Sequence, residues 1–115
     1  MKDLFIPFKE SQEMKELGFD EPCLATYHKE LHTIIPIYAE YTNQDVNKAP
    51  TFSQAFKWFR DNHKLHSGIY PYYDEYEFQI KDFNSVTNTP INGGLMKYEE
   101  AELECLRQLI KITKK

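Results

Sequence analysis

The strongest constraint on this fold is the C-terminal segment Tyr98 to Lys115, YEEAELECLRQLIKITKK. At about 100° per residue, Tyr98, Ala101, Cys105, Leu109 and Ile112 share one side of a helix, and Leu103, Leu106 and Ile110 widen it. Glu99, Glu100, Glu102 and Glu104 gather at its start. Arg107, Lys111, Lys114 and Lys115 gather at its end, so the charges complement the helix dipole. Such a helix needs a sheet or other helices to cover its apolar side, and the chain therefore ends by closing a core.

The rest of the chain has to supply that core. Its 115 residues suit one domain, taken as 1–115. With 8 Tyr, 8 Phe and 1 Trp, it is too aromatic for a disordered chain and carries more rings than one small core buries. Its 14 basic residues are scattered, and its net charge is -4. No basic stripe marks a nucleic-acid partner. The 18 acidic residues are too well balanced for a DNA mimic. No apolar run reaches the length of a signal peptide or a membrane span, which points to a cytoplasmic protein without membrane contact. Cys23 and Cys105 read as small apolar residues of a reduced protein rather than as a disulfide.

Local signals place the other elements. Pro7 to Leu17 reads as a first helix, with Pro7 in its first turn, Gly18 at its left-handed end, Met14 and Leu17 facing inward and Phe19 closing it. Cys23 to His28 reads as a strand, and Ile34 to Tyr38 as an edge strand or extended loop because of Pro36. Glu40 to Pro50 reads as a loop. Thr51 opens a second helix running to about His63, with a T-x-x-Q capping box and a stripe of Phe52, Ala55, Phe56 and Phe59. Trp58 and Arg60 fall at opposite edges of that stripe. Ile69 to Tyr73 and Tyr76 to Ile80 form a hairpin turning at Asp74 and Glu75, and Asp82 to Gly94 is a second loop. The order is α-β-(β)-α-β-β-α. This predicts an α+β fold: a small antiparallel sheet with helices packed on one face. The double-stranded-RNA-binding order is close, but the basic residues it needs are missing.

Three stretches carry a resemblance. They are Glu16-Leu17-Gly18-Phe19-Asp20-Glu21-Pro22-Cys23, then Ala49-Pro50-Thr51-Phe52 with Gln54-Ala55-Phe56-Lys57-Trp58-Phe59-Arg60, then Tyr98 to Leu106 with Leu109 and Ile110. In these the chain resembles a family of short proteins of gut Bacteroidetes and their phages and mobile elements. Lys97 stands where that family tends to have a Ser or Thr helix cap, and His63 where an aromatic is usual. The resemblance implies a setting: small proteins of this kind bind host proteins or take up host signals inside the host cell.

No catalytic motif stands out. His28 and His32 are spaced H-x3-H, and His63 and His66 H-x2-H, but neither cysteine sits where zinc would need it. His63 reads instead as a ring at the core edge near a helix C-terminus. Cys23 and His28 lie on opposite faces of one strand, and Cys105 lies on a core stripe, so no thiol meets a base. Neither a metal nor a cofactor is expected.

Two features invite a binding site. Glu102 points into the apolar arc between Ala101 and Leu103, where a carboxylate needs a partner. It is either a salt bridge to Arg60 or Lys57, or a helix-start group near solvent, or an acceptor for ribose hydroxyls or an amine. Tyr70 and Tyr72 belong to the hairpin set that does not pack on helices. They suit either a dimer interface or stacking on a nucleobase. The expectation is a non-enzymatic binding protein, a homo-oligomer, that sequesters a host nucleotide-derived immune signal. Trp58, Tyr70 and Tyr72 would stack on the base, Arg60 would hold phosphate, and Glu102 would accept from ribose or amine. The alternatives are a protein–protein inhibitor or virion accessory protein without a small ligand, and a small nucleotide-degrading enzyme.

Overall fold

A computed structural model describes residues 4–27, 33–36, 48–83, 91–92 and 96–114. The chain is α+β, with the order α1 (Phe8–Glu16), β1 (Ala25–Tyr27), β2 (Ile34–Pro36), β3 (Lys48–Ala49), α2 (Phe52–His63), β4 (Leu65–Tyr72), β5 (Glu75–Asp82), β6 (Ile91–Asn92) and α3 (Tyr98–Lys114). It divides into two compact units, Met1–Phe52 and Ser53–Lys115. Where the sequence suggests one sheet, the strands form two antiparallel sheets, ordered β2-β1-β3 and β4-β5-β6.

In the first unit, α1 follows Pro7, whose extended backbone (φ -63°, ψ 158°) makes it the cap rather than the first helical residue. The helix ends in a Schellman motif. Gly18 has φ 103°, its N–H donates to the Lys15 carbonyl, and the Phe19 N–H donates to the Met14 carbonyl. Met14 and Phe19, the two side chains this motif brings together, are both buried, and Leu17 is half-buried. Cys23 lies before β1 instead of inside it, its thiol donating to the Glu21 carbonyl. Pro36 ends β2, an edge strand of its sheet, the kind of strand to which proline is confined. Lys48 and Ala49 form β3 against β1, within a stretch that reads as loop from sequence. Ala25, Tyr27 and Ala49 make a small buried cluster with Phe5, Phe8 and Ile34 against it. Phe8 and Tyr27 meet edge to face at 5.4 Å.

In the second unit, β4 and β5 form the longest pairing, from Leu65↔Asp82 to Tyr72↔Glu75. The hairpin therefore turns at Tyr73 and Asp74, one residue earlier than the sequence suggests, and β4 begins at Leu65 rather than Ile69. The turn succeeds without glycine because Tyr73 takes the left-handed conformation itself (φ 56°). The Tyr72↔Glu75 pair closes a two-residue turn, so alternation places Pro71 with its missing N–H directed away from β5. β6 pairs with the far side of β5, so part of the second sequence loop is a strand.

Helix α3 packs on one face of this sheet. Tyr76 meets Tyr98 edge to face at 5.2 Å, and Ser67 neighbours Cys105, so the covered face carries Ser67, Ile69, Tyr76, Phe78 and Ile80. Phe78, Ile80, Ala101, Cys105, Leu106, Leu109 and Ile110 are buried, as the two periodicities require. In α2 the buried set is Phe52, Ala55, Trp58 and Phe59, while Phe56 is half-buried. The stripe is rotated from its sequence reading, with Trp58 taking the place given to Phe56.

Candidate functional site

The alternation that sends Phe78 and Ile80 under α3 leaves His66, Gly68, Tyr70 and Tyr72 on the other face of β4. Across from them on β5 stand Lys81, Gln79, Glu77 and Glu75, in that order. Tyr70 and Tyr72 are 48% and 49% exposed, large fractions for rings on a sheet. Tyr73, at the turn, is 91% exposed and meets Tyr72 edge to face at 4.8 Å. At the opposite end Phe83, 53% exposed, stacks on His66 with centroids 4.1 Å apart. The Lys81 ammonium sits 5.6 Å from the centre of the Phe83 ring. Phe83 is held there by its N–H, which donates to the Lys64 carbonyl.

The face is thus an aromatic band with a charge gradient. Lys64, His66 and Lys81 mark one end; Asp74, Glu75 and Glu77 mark the other. At the middle is Gly68, the one residue of the β4 row without a side chain. The Tyr70 ring lies over it: a Cβ on Gly68 would stand 2.7 Å from the phenol oxygen. The absence of a side chain at Gly68 is what lets the ring lie there.

The five residues singled out in the sequence do not converge. Tyr70 and Tyr72 stand together on the band. Trp58 is 6% exposed, with its ring against Phe59 at 5.0 Å and against His63 at 4.8 Å. It presents no free ring to a ligand. Arg60 is exposed on α2, with its Nε 3.8 Å from Asp61. Asp61 also takes a 2.6 Å bond from Lys57. That hydrogen bond is the main reason the Asp61 carboxyl lies below its ordinary range, with Coulombic help from Lys57, Arg60 and Lys64.

Glu102 belongs to α3 and so to the covered side of the sheet. The salt bridge to Lys57 or Arg60 does not form, because both cations serve Asp61. Glu102 is half-buried beside Glu99 and Tyr98. Burial first, and the Glu99 charge second, push its carboxyl above the ordinary range. Burial, followed by the charge of Glu102, raises the Tyr98 phenol as well.

Cys105 is fully buried, and burial pushes its thiol up to about 12, against a smaller lowering by the Ser67 hydroxyl. Ser67 Oγ has no hydrogen-bond partner of ordinary geometry, so the thiol is a weak polar neighbour rather than a strong acceptor. A protonated, inaccessible thiol is no nucleophile at neutral pH. His28 and His32 lie outside the described residues. Among the described residues, no three His, Cys, Asp or Glu gather in a metal-binding group. Among the described residues, no helix is long and apolar enough to cross a membrane.

Sequence reading missed His66, Gly68, Lys81 and Phe83. The parity of β4 and β5 was the available signal: once Tyr70 is placed outward, His66, Gly68 and Tyr72 must share its face. Comparison with protein-family models, with curated proteins and with solved structures gives no match to this chain.

Proposed function

We propose that the chain is a small binding protein whose working surface is the open face of β4 and β5, and that this face takes up a nucleotide-type signal. One observation carries the reading: two half-exposed tyrosines stand in line, on one face of one strand, with a cationic end. Stacking on Tyr70 and Tyr72 suits a nucleobase of any identity. Lys81, His66 and Lys64 suit phosphate. Glu77, directly across from Tyr70, offers the acceptor for ribose hydroxyls or an exocyclic amine that the sequence reading assigned to Glu102. From His66 to Tyr70 the strand rises by about 13 Å, room for a phosphate, a sugar and a base in extended line. Sequestration of a host nucleotide-derived signal is the role such a site would serve in a protein of phage or mobile-element type.

A panel of cyclic and ADP-ribose-derived nucleotides, added singly, tests this through the melting temperature. A binding nucleotide raises it, and Tyr70→Ala or Lys81→Ala removes the rise. A panel that leaves the melting temperature unchanged sinks the nucleotide reading. A protein inhibitor is the second reading, favoured by Tyr73: its exposure at the tip beside Asp74 and Glu75 suits an anchor for a protein surface better than a small ligand.

A further inference from the structure

The charges on the open face are arranged so that the face complements a second copy of itself. We infer that two copies associate through it, face to face and antiparallel about a two-fold axis.

The register fixes how they would meet. The outward residues of β5 are Glu75, Gln79, Glu77 and Lys81, centred on Phe78; those of β4 are His66, Gly68, Tyr70 and Tyr72, centred on Ile69. Phe78 and Ile69 are themselves a cross-strand pair. An axis lying between the copies, perpendicular to the strands and over that pair, reverses one hairpin on the other. Lys81 then stands over the partner's Glu75, twice in the dimer. His66 stands over the partner's Tyr72, and Gly68 over the partner's Tyr70. Each Tyr70 ring lies over its own Gly68, so the two Tyr70 rings meet at the centre. Among the described residues, neither Lys81 nor Glu75 has an ion pair within its own chain, so both charges remain available.

A parallel arrangement, with its axis along the strands, would instead set the cationic end on the partner's cationic end, Lys81 over His66, and the acidic end on the acidic end. The charge gradient therefore selects the antiparallel one. The face measures about 27 Å along the strands and is two strands wide, less than the ~800 Å² per partner of a standard interface. The dimer is accordingly weak, forming at micromolar to millimolar protein. A nucleotide and a second copy compete for Tyr70 and Tyr72, so ligand favours the monomer. The dimer does not require the ligand, and the two readings fail separately.

Sedimentation equilibrium on the full chain, up to millimolar concentration and at low salt, tests the inference. The unaltered protein is expected to dimerise. K81E and E75K are each expected to weaken the dimer roughly tenfold or more, because each turns two attractions into repulsions. An equimolar mixture of K81E and E75K is expected to form a heterodimer, since both Lys–Glu contacts are regained. Thermal melting checks that both variants fold, and any that does not is replaced by K81Q or E75Q with the same expected direction. A protein monomeric at millimolar concentration overturns the inference. So do charge variants that dimerise as the parent does, and a mixture that associates no better than its components.

Discussion

The ring of Tyr70 lies flat on its own strand over Gly68, close enough that a single methyl group on the glycine would meet the phenol oxygen at 2.7 Å and the ring carbons within 2.9 Å. The atoms in the way belong to the far end of a side chain, so the ring can leave while the strand stays. Gly68→Ala is therefore expected to change stability by less than about 1 kcal/mol, yet to expel Tyr70 from its place. Nucleotide binding should fall with it, and so should self-association. Circular dichroism and a ligand titration on this variant separate the two effects; binding that survives intact would show that the position of Tyr70 is irrelevant.

Lys64 follows the last residue of α2 with φ 58°, the left-handed conformation that usually falls to glycine at a helix end. A side chain there costs about 1 kcal/mol. Lys64→Gly should relieve part of that cost and raise the melting temperature, since the Lys64 carbonyl that receives the Phe83 N–H is retained. The same change removes one cation next to the start of β4, so phosphate affinity should decline while stability improves. A variant that melts lower than the parent would refute the argument.

Glu102 gives a pH signature. Its folded carboxyl is raised by burial and by Glu99, above the unfolded value of about 4.3. The folded state thus holds the proton more tightly, and stability is lost as pH rises from the unfolded value through the folded one. At neutral pH the charge is a cost, though a small one because water still screens it. Glu102→Gln should melt higher than the parent at pH 7 by about a few tenths of a kcal/mol, with the advantage gone near pH 4. A lower melting temperature at pH 7 would mean that the carboxylate has a stabilising partner.

The two thiols should differ in kind. Cys105 is fully buried and Cys23 half-buried. One thiol per chain should react quickly with a disulfide reagent under native conditions, and the second only on unfolding. With its folded value near 12 against an ordinary 9, Cys105 also makes stability fall as pH rises through that window, because only the unfolded thiol ionises there. Cys105→Ala should flatten the alkaline limb of the stability curve.

Much of this fold is written locally. The α1 stop at Gly18, the α3 stripe and the alternation of Tyr76, Phe78 and Ile80 each depend on residues adjacent in sequence, and each is legible. The strands Lys48–Ala49 and Ile91–Asn92 are not, because two residues cannot display a period. The turn at Tyr73 was hidden because tyrosine is a poor left-handed residue, so turn chemistry pointed one position later. Half of the site was legible for the same reason as the fold: parity puts Tyr70 and Tyr72 outward. Trp58, Arg60 and Glu102 were linked to them by chemistry alone, and sequence does not say which face of a sheet a helix will cover.

Trp58 shows how narrow that margin is. On a helical wheel, Phe56 and Trp58 flank the line through Phe52, Ala55 and Phe59, and a rotation of the stripe decides which is covered. Residue type favours Phe56 as core and leaves Trp58 as an exposed anchor whose loss would spare the fold. The structure reverses the pair: Trp58 is buried with its ring against Phe59 and His63, and Phe56 is half-buried. Trp58→Ala should therefore cost about 3–5 kcal/mol, through lost apolar burial and the cavity left behind. Phe56→Ala should cost clearly less. Trp58→Phe, which keeps a ring against Phe59, should lie between. Because Trp58 is the single tryptophan, native fluorescence should be blue-shifted and move red on unfolding. The ordering is measurable by urea denaturation of the three variants. If Phe56→Ala proves the most damaging, the α2 stripe faces the way its sequence first suggests.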